Sequence, residues 1–245
     1  MTTVQGELVN VPGQSNTQAR RTQKFYADVL GRTFKVEALD WSNNVYSTMK
    51  TLFNGRDQVV TMTEYAGTDS SSTSQVTSAT YDGHGRLSTR HLPEQDSGKN
   101  TVLTYNPDDS IATVTDARDV VKSNLYNSRG LLTQTTYTLP QGSTIQQTPS
   151  VSISFDNVGN PVQMTDGMAT TSYAYNELSQ LLSETKAFVD TMPNAPLANN
   201  SFRIEYTYGL NGQLASIKDP FSQQFNYVRD SVGSTKQISG STSFA

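Results

Sequence analysis

Apolar and polar residues alternate with period two over many short stretches of the chain. Val151, Ile153 and Phe155 are interleaved with Ser152 and Ser154, and Ile204, Tyr206 and Tyr208 with Glu205 and Thr207. Leu103 with Tyr105, Tyr173 with Tyr175, and Phe225 with Tyr227 repeat the pattern. Successive side chains of an extended backbone point to opposite faces, so this period predicts half-buried β-strands. Second strands are expected to begin near Leu87, Ile111, Leu132, Leu181 and Leu214 and to continue through Thr-rich alternation. Helical periodicity is scarce. Its best stretch is Gln18 to Leu30, but the part from Phe25 onward also fits the strand pattern, and strand is preferred there.

Between paired strands a short frame recurs: an aromatic, then Asp or Asn, then two residues, Gly, and an apolar residue two further on. It reads YDGHGRL from Tyr81, YNSRGLL from Tyr126, FDNVGNPV from Phe155, YGLNGQL from Tyr208, ADVLGRT from Ala27 and RDSVGST from Arg229. FNGRDQV from Phe53, YNPDDSI from Tyr105 and YNELSQL from Tyr175 keep the frame without the glycine. The Asp-equivalent positions are 28, 54, 82, 106, 127, 156, 176, 209 and 230, and the shortest spacing is 20 residues. Longer units contain polar inserts at 67–75, 139–150 and 189–200, read as loops. Asp82 can accept hydrogen bonds from backbone amides two residues on, and Gly85 can take the left-handed conformation that closes a bulged hairpin. Gly31, Gly130, Gly159, Gly212 and Gly233 hold the same place; Asp57 and Asp109 tolerate a positive φ, and Ser179 fits it least well. The prediction is an all-β fold of about nine consecutive antiparallel β-hairpins in an extended sheet.

These copies resemble the Rhs or YD-repeat family, whose unit is close to Y-x-Y-D-x-x-G-R-L. The signature is fullest at Tyr81, Asp82, Gly85, Arg86 and Leu87, and it recurs at Tyr126, Asn127 and Gly130 and at Phe155, Asp156 and Gly159. Variants stand at Tyr173 and Tyr175, at Tyr206, Tyr208 and Gly212, and at Tyr227, Asp230 and Gly233. The family includes bacterial polymorphic toxins, the B and C components of insecticidal toxin complexes, wall-associated proteins and teneurins. The resemblance spans residues 25–235, leaving 1–24 as a lead-in and 236–245 as a tail. It implies a curved repeat sheet, an open or partial turn of a spiral shell that encapsulates a toxin or other cargo. It also implies a non-enzymatic role and a secreted or cell-surface setting, with further repeats or a cargo domain of the parent chain as partners. No DPxGL-like closing motif follows Gly233, so the chain reads as an excised run of repeats. Open sheet edges in such a run invite self-association.

Composition narrows the chemistry. Only 34% of residues are hydrophobic and 16% charged, so neutral polar residues make up the rest, as β-strands and turns favour. A net charge of −4 provides no positive field for nucleic acid. The absence of cysteine excludes disulfides, thiolate nucleophiles and Cys-ligated zinc. His84 and His91 are the only histidines; His84 lies beside Asp82 within a turn and reads as surface punctuation rather than a base. Asp108, Asp109, Asp116 and Asp119 do not match the spacing of the twelve-residue calcium loop and read as solvated turns. GHGRLS at Gly83 lacks the third glycine of a phosphate cradle. Asn199-Asn200-Ser201 is a lone sequon in a loop. No apolar run approaches the length of a membrane-spanning helix, and MTTVQGELVN lacks the regions of a signal peptide. No catalytic, cofactor or metal site is therefore assigned. The alternative function is a carbohydrate or cell-surface binding module. Trp41, Tyr46 and Tyr65, off the anchor register, would be its platform, and the inserts its loops. The anchors themselves are read as repeated core contacts, each burying ~150 to 250 Å².

Overall fold

The computed structural model describes residues 1–10, 18–71, 73–188 and 201–240, and among these it contains strands and turns but no helix. The chain divides into two units, Met1–Val121 and Lys122–Ala245. In the first unit β1 (Thr2–Asn10), β2 (Gln18–Ala27), β3 (Thr33–Leu39), β4 (Val45–Phe53) and β5 (Val59–Tyr65) are followed by β6 (Ser74–Tyr81), β7 (Leu87–His91), β8 (Thr101–Tyr105) and β9 (Ile111–Thr115). Each pairs antiparallel with the next. β10 (Val121–Tyr126) begins at the boundary. The second unit continues with β11 (Leu132–Thr138), β12 (Val151–Phe155), β13 (Pro161–Thr165), β14 (Ala169–Tyr175), β15 (Leu181–Phe188), β16 (Ser201–Tyr208), β17 (Leu214–Lys218), β18 (Gln224–Arg229) and β19 (Thr235–Gly240). From β11 onward consecutive strands again pair antiparallel. The stretch from Gln18 is strand. β1 and most of β2 lie within residues 1–24, the stretch read as a lead-in.

One turn explains the repeat. In the copy at Asp82 the Asp82 amide donates to Arg86 O at 2.9 Å and the Gly85 amide to Asp82 O at 3.0 Å. The Asp82 Oδ1 accepts from the amides of His84 and Arg86, both at 2.9 Å. Gly85 has φ 85°, and the left-handed residue shifts the strand register by one between Thr80 and Tyr81, a β-bulge. The same backbone pair occurs at all nine positions of the frame. Asp57, Asp109 and Ser179 are left-handed at φ 61°, 67° and 58°, so Ser179 takes the conformation its side chain disfavours. The frame turns fall at every second connection. Three connections on the opposite side use the identical turn, Asp40 to Asn44, Asp116 to Val120 and Asp219 to Gln223. Their left-handed residues are Asn43, Asp119 and Ser222, so a frame sought through glycine passes over them. The other opposite-side connections vary in length, and this produces the irregular spacing of the copies.

Full burial is confined to small and polar residues with few exceptions. Among the described residues the buried hydrophobics are Leu39 and Ala169, 7% and 1% exposed; the other buried residues are Thr22, Glu37, Thr48, Thr135, Thr171, Ser183 and Ser216. The anchors Tyr81, Tyr105, Tyr126, Phe155, Tyr175 and Tyr208 are all half-buried. A sheet of consecutive hairpins offers an aromatic ring a neighbouring strand to lie across, whereas full burial would require a second layer. Small β-branched or hydroxylated residues on central strands are covered by their neighbours, and their hydroxyls find partners: Thr48 Oγ1 donates to Gly67 O at 2.7 Å, and Thr207 and Ser216 share a hydrogen bond at 2.7 Å.

Candidate functional site

Two features position polar and aromatic chemistry: a stitch along the frame turns, and a cleft across β1 to β4. In the stitch, the residue four after the Asp-equivalent bonds to the left-handed residue of the next frame turn at five steps. Arg32 Nη1 pairs with Asp57 Oδ1 at 2.5 Å, and Arg86 Nη1 with Asp109 Oδ1 at 2.5 Å. Gln58 Nε2 donates to Gly85 O at 2.6 Å and Gln180 Nε2 to Gly212 O at 2.8 Å. Asn160 Nδ2 donates to Ser179 Oγ at 3.1 Å. Where the next turn carries Asp in the left-handed place, the preceding turn supplies Arg; at Gly85 and Gly212 a glutamine amide takes the bare carbonyl. Arg56 and Arg129, two residues into their turns, add bonds to Gly83 O at 2.9 Å and to Asp156 O at 2.7 Å.

Arg86 is the fullest case. Its Nε and Nη2 grip Asp82 Oδ2, each at 2.7 Å, its Nη1 holds Asp109, and its Cζ lies 4.4 Å from the centroid of the Tyr105 ring. Arg32 repeats this with Asp28, Asp57 and the Phe53 ring at 4.8 Å. Donation from Arg86 to Asp82 and from Arg32 to Asp28 holds both carboxyls below the usual carboxylate range.

The anchor phenols form a second line of bonds. Tyr81 Oη donates to Val59 O at 2.8 Å, Tyr105 Oη to Leu87 O at 2.7 Å, and Tyr208 Oη to Leu181 O at 2.9 Å. Each acceptor is the first residue of the preceding hairpin's outgoing strand, so Tyr supplies a bond between hairpins that Phe53 and Phe155 cannot. In the last copy Arg229 stands in the anchor place. Its Nη2 donates to Leu214 O at 3.3 Å, the equivalent carbonyl, and its buried Nε has no partner. Tyr206 Oη donates to Glu184 Oε1 at 3.2 Å, and burial pushes its pKa up. Tyr173 and Tyr227 stand opposite Glu184 and Ile238. Neither the stitch nor the phenol bonds were apparent in the sequence, although D-x-x-G-R followed in the next copy by N-x-x-D at Asp57 and Asp109 was a visible trace.

The chemistry-bearing residues considered from sequence are committed to turns. Asp108 accepts from Ser110, Asp109 pairs with Arg86, Asp116 caps its own turn, and Asp119 pairs with Lys99 at 2.5 Å. No group of three or more His, Cys, Asp or Glu able to hold a metal occurs among the described residues. His91 Nδ1 lies 2.7 Å from Lys99 O, and the His84 amide caps Asp82. The insert at 67–75 folds back on its own sheet. Asp69 pairs with Lys35 and Lys50, each at 3.3 Å, while Lys35 also holds the 8%-exposed Glu37 at 2.8 Å. The Lys35 ammonium and the Tyr26 hydroxyl at 2.7 Å hold the Glu37 carboxyl below its usual range. In the insert at 139–150, Pro149 packs so closely on Gly167 that a Cβ there would lie 2.1 Å from Pro149 Cγ. The insert at 189–200 lies outside the described residues.

The structure brings Trp41 and Tyr46 together in a cleft of about 580 Å³, and leaves Tyr65 outside it. Val4, Gln23, Ala38 and Ser47 stand directly opposite one another across β1 to β4 and form its floor. Trp41 is there because it follows Asp40 in one of the glycine-free turns. Tyr46 is the residue skipped between the Ala38–Ser47 and Leu39–Val45 pairs, a bulge that re-aims its ring, and it is 72% exposed. Sequence reasoning missed Arg21, whose Cζ lies 5.6 Å from the Trp41 ring centroid.

No family model and no curated protein sequence matches the chain. Solved structures do. The crystal structure of TcdB2-TccC3-Cdc42 is 14% identical with a TM-score of 0.52, over 91% of this chain and 14% of that one. TcdB2-TccC3 gives 13% identity and a TM-score of 0.52, over 91% of this chain and 15% of that one. The chain has the fold of these toxin-complex repeats. The Photorhabdus luminescens Tc holotoxin pore matches likewise, at 13% identity and a TM-score of 0.53, over 90% of this chain and 14% of that one. The chain thus spans about a seventh of the length of the structures it matches. No helix among the described residues is long and apolar enough to cross a membrane.

Proposed function

We propose that the chain is a non-enzymatic structural segment of an Rhs or YD-repeat protein, a stretch of β-wall that encloses a toxin or other cargo together with further repeats. The observation that carries this reading is the turn-to-turn stitch. At five steps a hairpin presents its left-handed residue to a donor from the hairpin before it, so the pattern can extend by adding copies. Residues 25–235 are the repeat region of this reading, and the setting is secreted or cell-surface. Electron microscopy of the longer natural chain is the test: a continuous wall around a cavity is expected, and a chain without a cavity rejects the proposal. Open strand edges add self-association at high concentration, and light scattering that shows only a 26.8 kDa species would remove it.

A second reading, a carbohydrate-binding module, is favoured by the cleft, where one flat aromatic and one exposed phenol flank a floor of short side chains. A glycan array without hits, together with unchanged Trp41 fluorescence, would discard it.

A further inference from the structure

We propose that Asn211-Gly212, in the turn between β16 and β17, is a self-modifying site at which the asparagine loses its amide nitrogen through a succinimide and becomes aspartate or isoaspartate. The sequence holds two Asn-Gly pairs, Asn54-Gly55 and Asn211-Gly212. Glycine has no Cβ to obstruct its own nitrogen as that nitrogen closes on the preceding side chain. The Gly212 nitrogen bonds to Asn211 Cγ, the carboxamide nitrogen leaves as ammonia, and water opens the five-membered ring at either carbonyl. Opening at Cγ restores the peptide with aspartate in place of asparagine. Opening at the main-chain carbonyl leaves isoaspartate, whose backbone is one atom longer. Nothing is oxidised or reduced, and solvent water is the sole co-reactant.

The two pairs occupy different places in the same turn. Asn54 is the Asp-equivalent of its copy and is half-buried. Its Oδ1 accepts from the Arg56 and Gln58 amides at 2.9 and 3.1 Å, and its Nδ2 donates to Gln58 Oε1 at 2.9 Å, so the carboxamide is built into the turn. In the later copy the Asp-equivalent is Gly209, which has no side chain to cap with. Asn211, exposed and two residues on, fills in: its Oδ1 lies 3.0 Å from where a Cβ on Gly209 would stand and accepts from the Gln213 amide at 3.2 Å. One long bond from a borrowed side chain, between two glycines, thus replaces the two that Asp82 and Asn54 accept. The Gly212 amide is held by Gly209 O at 2.9 Å, so reaction passes through the opened turn, and ease of opening selects Asn211 over Asn54.

The product alters what this turn presents to the next hairpin. Asn211 Nδ2 donates to Gln213 Oε1 at 3.0 Å, which leaves Gln213 Nε2 facing Gly233, where a Cβ would lie 2.7 Å from it. These are the two places that the stitch joins at other steps. Aspartate has no hydrogen for Oε1, so the Gln213 amide turns over to donate to the new carboxylate, and its Nε2 leaves Gly233.

The full chain is aged at mildly alkaline pH, folded and in urea, and peptide mass spectrometry follows the gain of ~1 Da at each asparagine. In the folded chain Asn211 is expected to react about tenfold faster than Asn54, and in urea the two at equal rates. An isoaspartate-specific methyltransferase is expected to label the same peptide. Asn54 reacting as fast as Asn211 in the folded chain, or an Asn211 that keeps its amide there while the urea-unfolded chain loses it, overturns the site. Hydrogen exchange of Asn211→Asp reads the consequence. Amides of β18 and β19 are expected to exchange faster than in the parent chain; unchanged exchange overturns the loss of the Gln213 contact and leaves the modification standing.

Discussion

Replacing Arg86 by Ala tests the stitch where it is densest. The guanidinium makes two bonds of 2.7 Å to Asp82, and both side chains are about a quarter exposed, so this half-buried charged pair contributes about 1–2 kcal/mol. The Tyr105 ring at 4.4 Å adds about 0.5–1 kcal/mol. The Asp109 carboxylate is 72% exposed, and solvent screening limits that pair to about 0.5 kcal/mol despite the 2.5 Å separation. The expected loss is about 2–3 kcal/mol, read as a lower urea midpoint at constant slope. Asp109→Gly separates the stitch from mere proximity. Glycine relieves a left-handed aspartate at φ 67°, worth about 1 kcal/mol, and offsets most of this through its freer unfolded chain. The substitution is therefore nearly neutral in the native sequence, and becomes stabilising by about 0.5 kcal/mol once Arg86 is gone. The pair Arg32 and Asp57 has the same geometry and is expected to give the same coupling. Zero coupling in both cycles, or a loss below about 0.5 kcal/mol for Arg86→Ala, would refute the reasoning.

Three further outcomes follow from the geometry. Gly85→Ala forces a Cβ onto a residue at φ 85° with Gln58 Nε2 only 3.2 Å away, and the urea midpoint is expected to fall by about 1–2 kcal/mol of stability. Arg229→Tyr replaces a guanidinium whose buried Nε lacks a partner by the phenol that other copies aim at the same carbonyl, and thermal unfolding is expected to shift upward by about 1 kcal/mol of stability. Asp28 and Asp82 have folded pKa values below the unfolded value of about 3.9, so their contribution is complete above that pH and is lost as pH falls through the folded values. Urea midpoints are expected to be flat in this respect from pH 5 to pH 8 (about one unit or more above the unfolded value) and to drop below about pH 4, with a shallower drop in Asp82→Asn.

Much of the architecture was legible because a strand turn needs particular residues at fixed places. The outgoing strands start at Leu87, Ile111, Leu132, Leu181 and Leu214, the positions where alternation resumes after each turn. The turns at Asp40, Asp116 and Asp219 escaped because Asn, Asp and Ser do there what glycine does elsewhere. What covers the anchors was not legible: alternation reports that one face is covered more than the other, not by what, and here the rings of Tyr81, Tyr105 and Tyr208 reach the preceding hairpin. Of the cleft, Trp41 and Tyr46 stood out because they broke the register. Arg21 did not, since its stacking depends on a turn twenty residues away that carries no glycine.

The most direct measurement of hairpin-to-hairpin stitching is a nuclear Overhauser spectrum of the labelled full chain. Cross-peaks are expected from the Tyr105 ring to the Arg86 side chain and to the start of β7, and from the Tyr81 ring to the start of β5. Rings of Tyr81 and Tyr105 that show contacts only within their own hairpins would contradict the account.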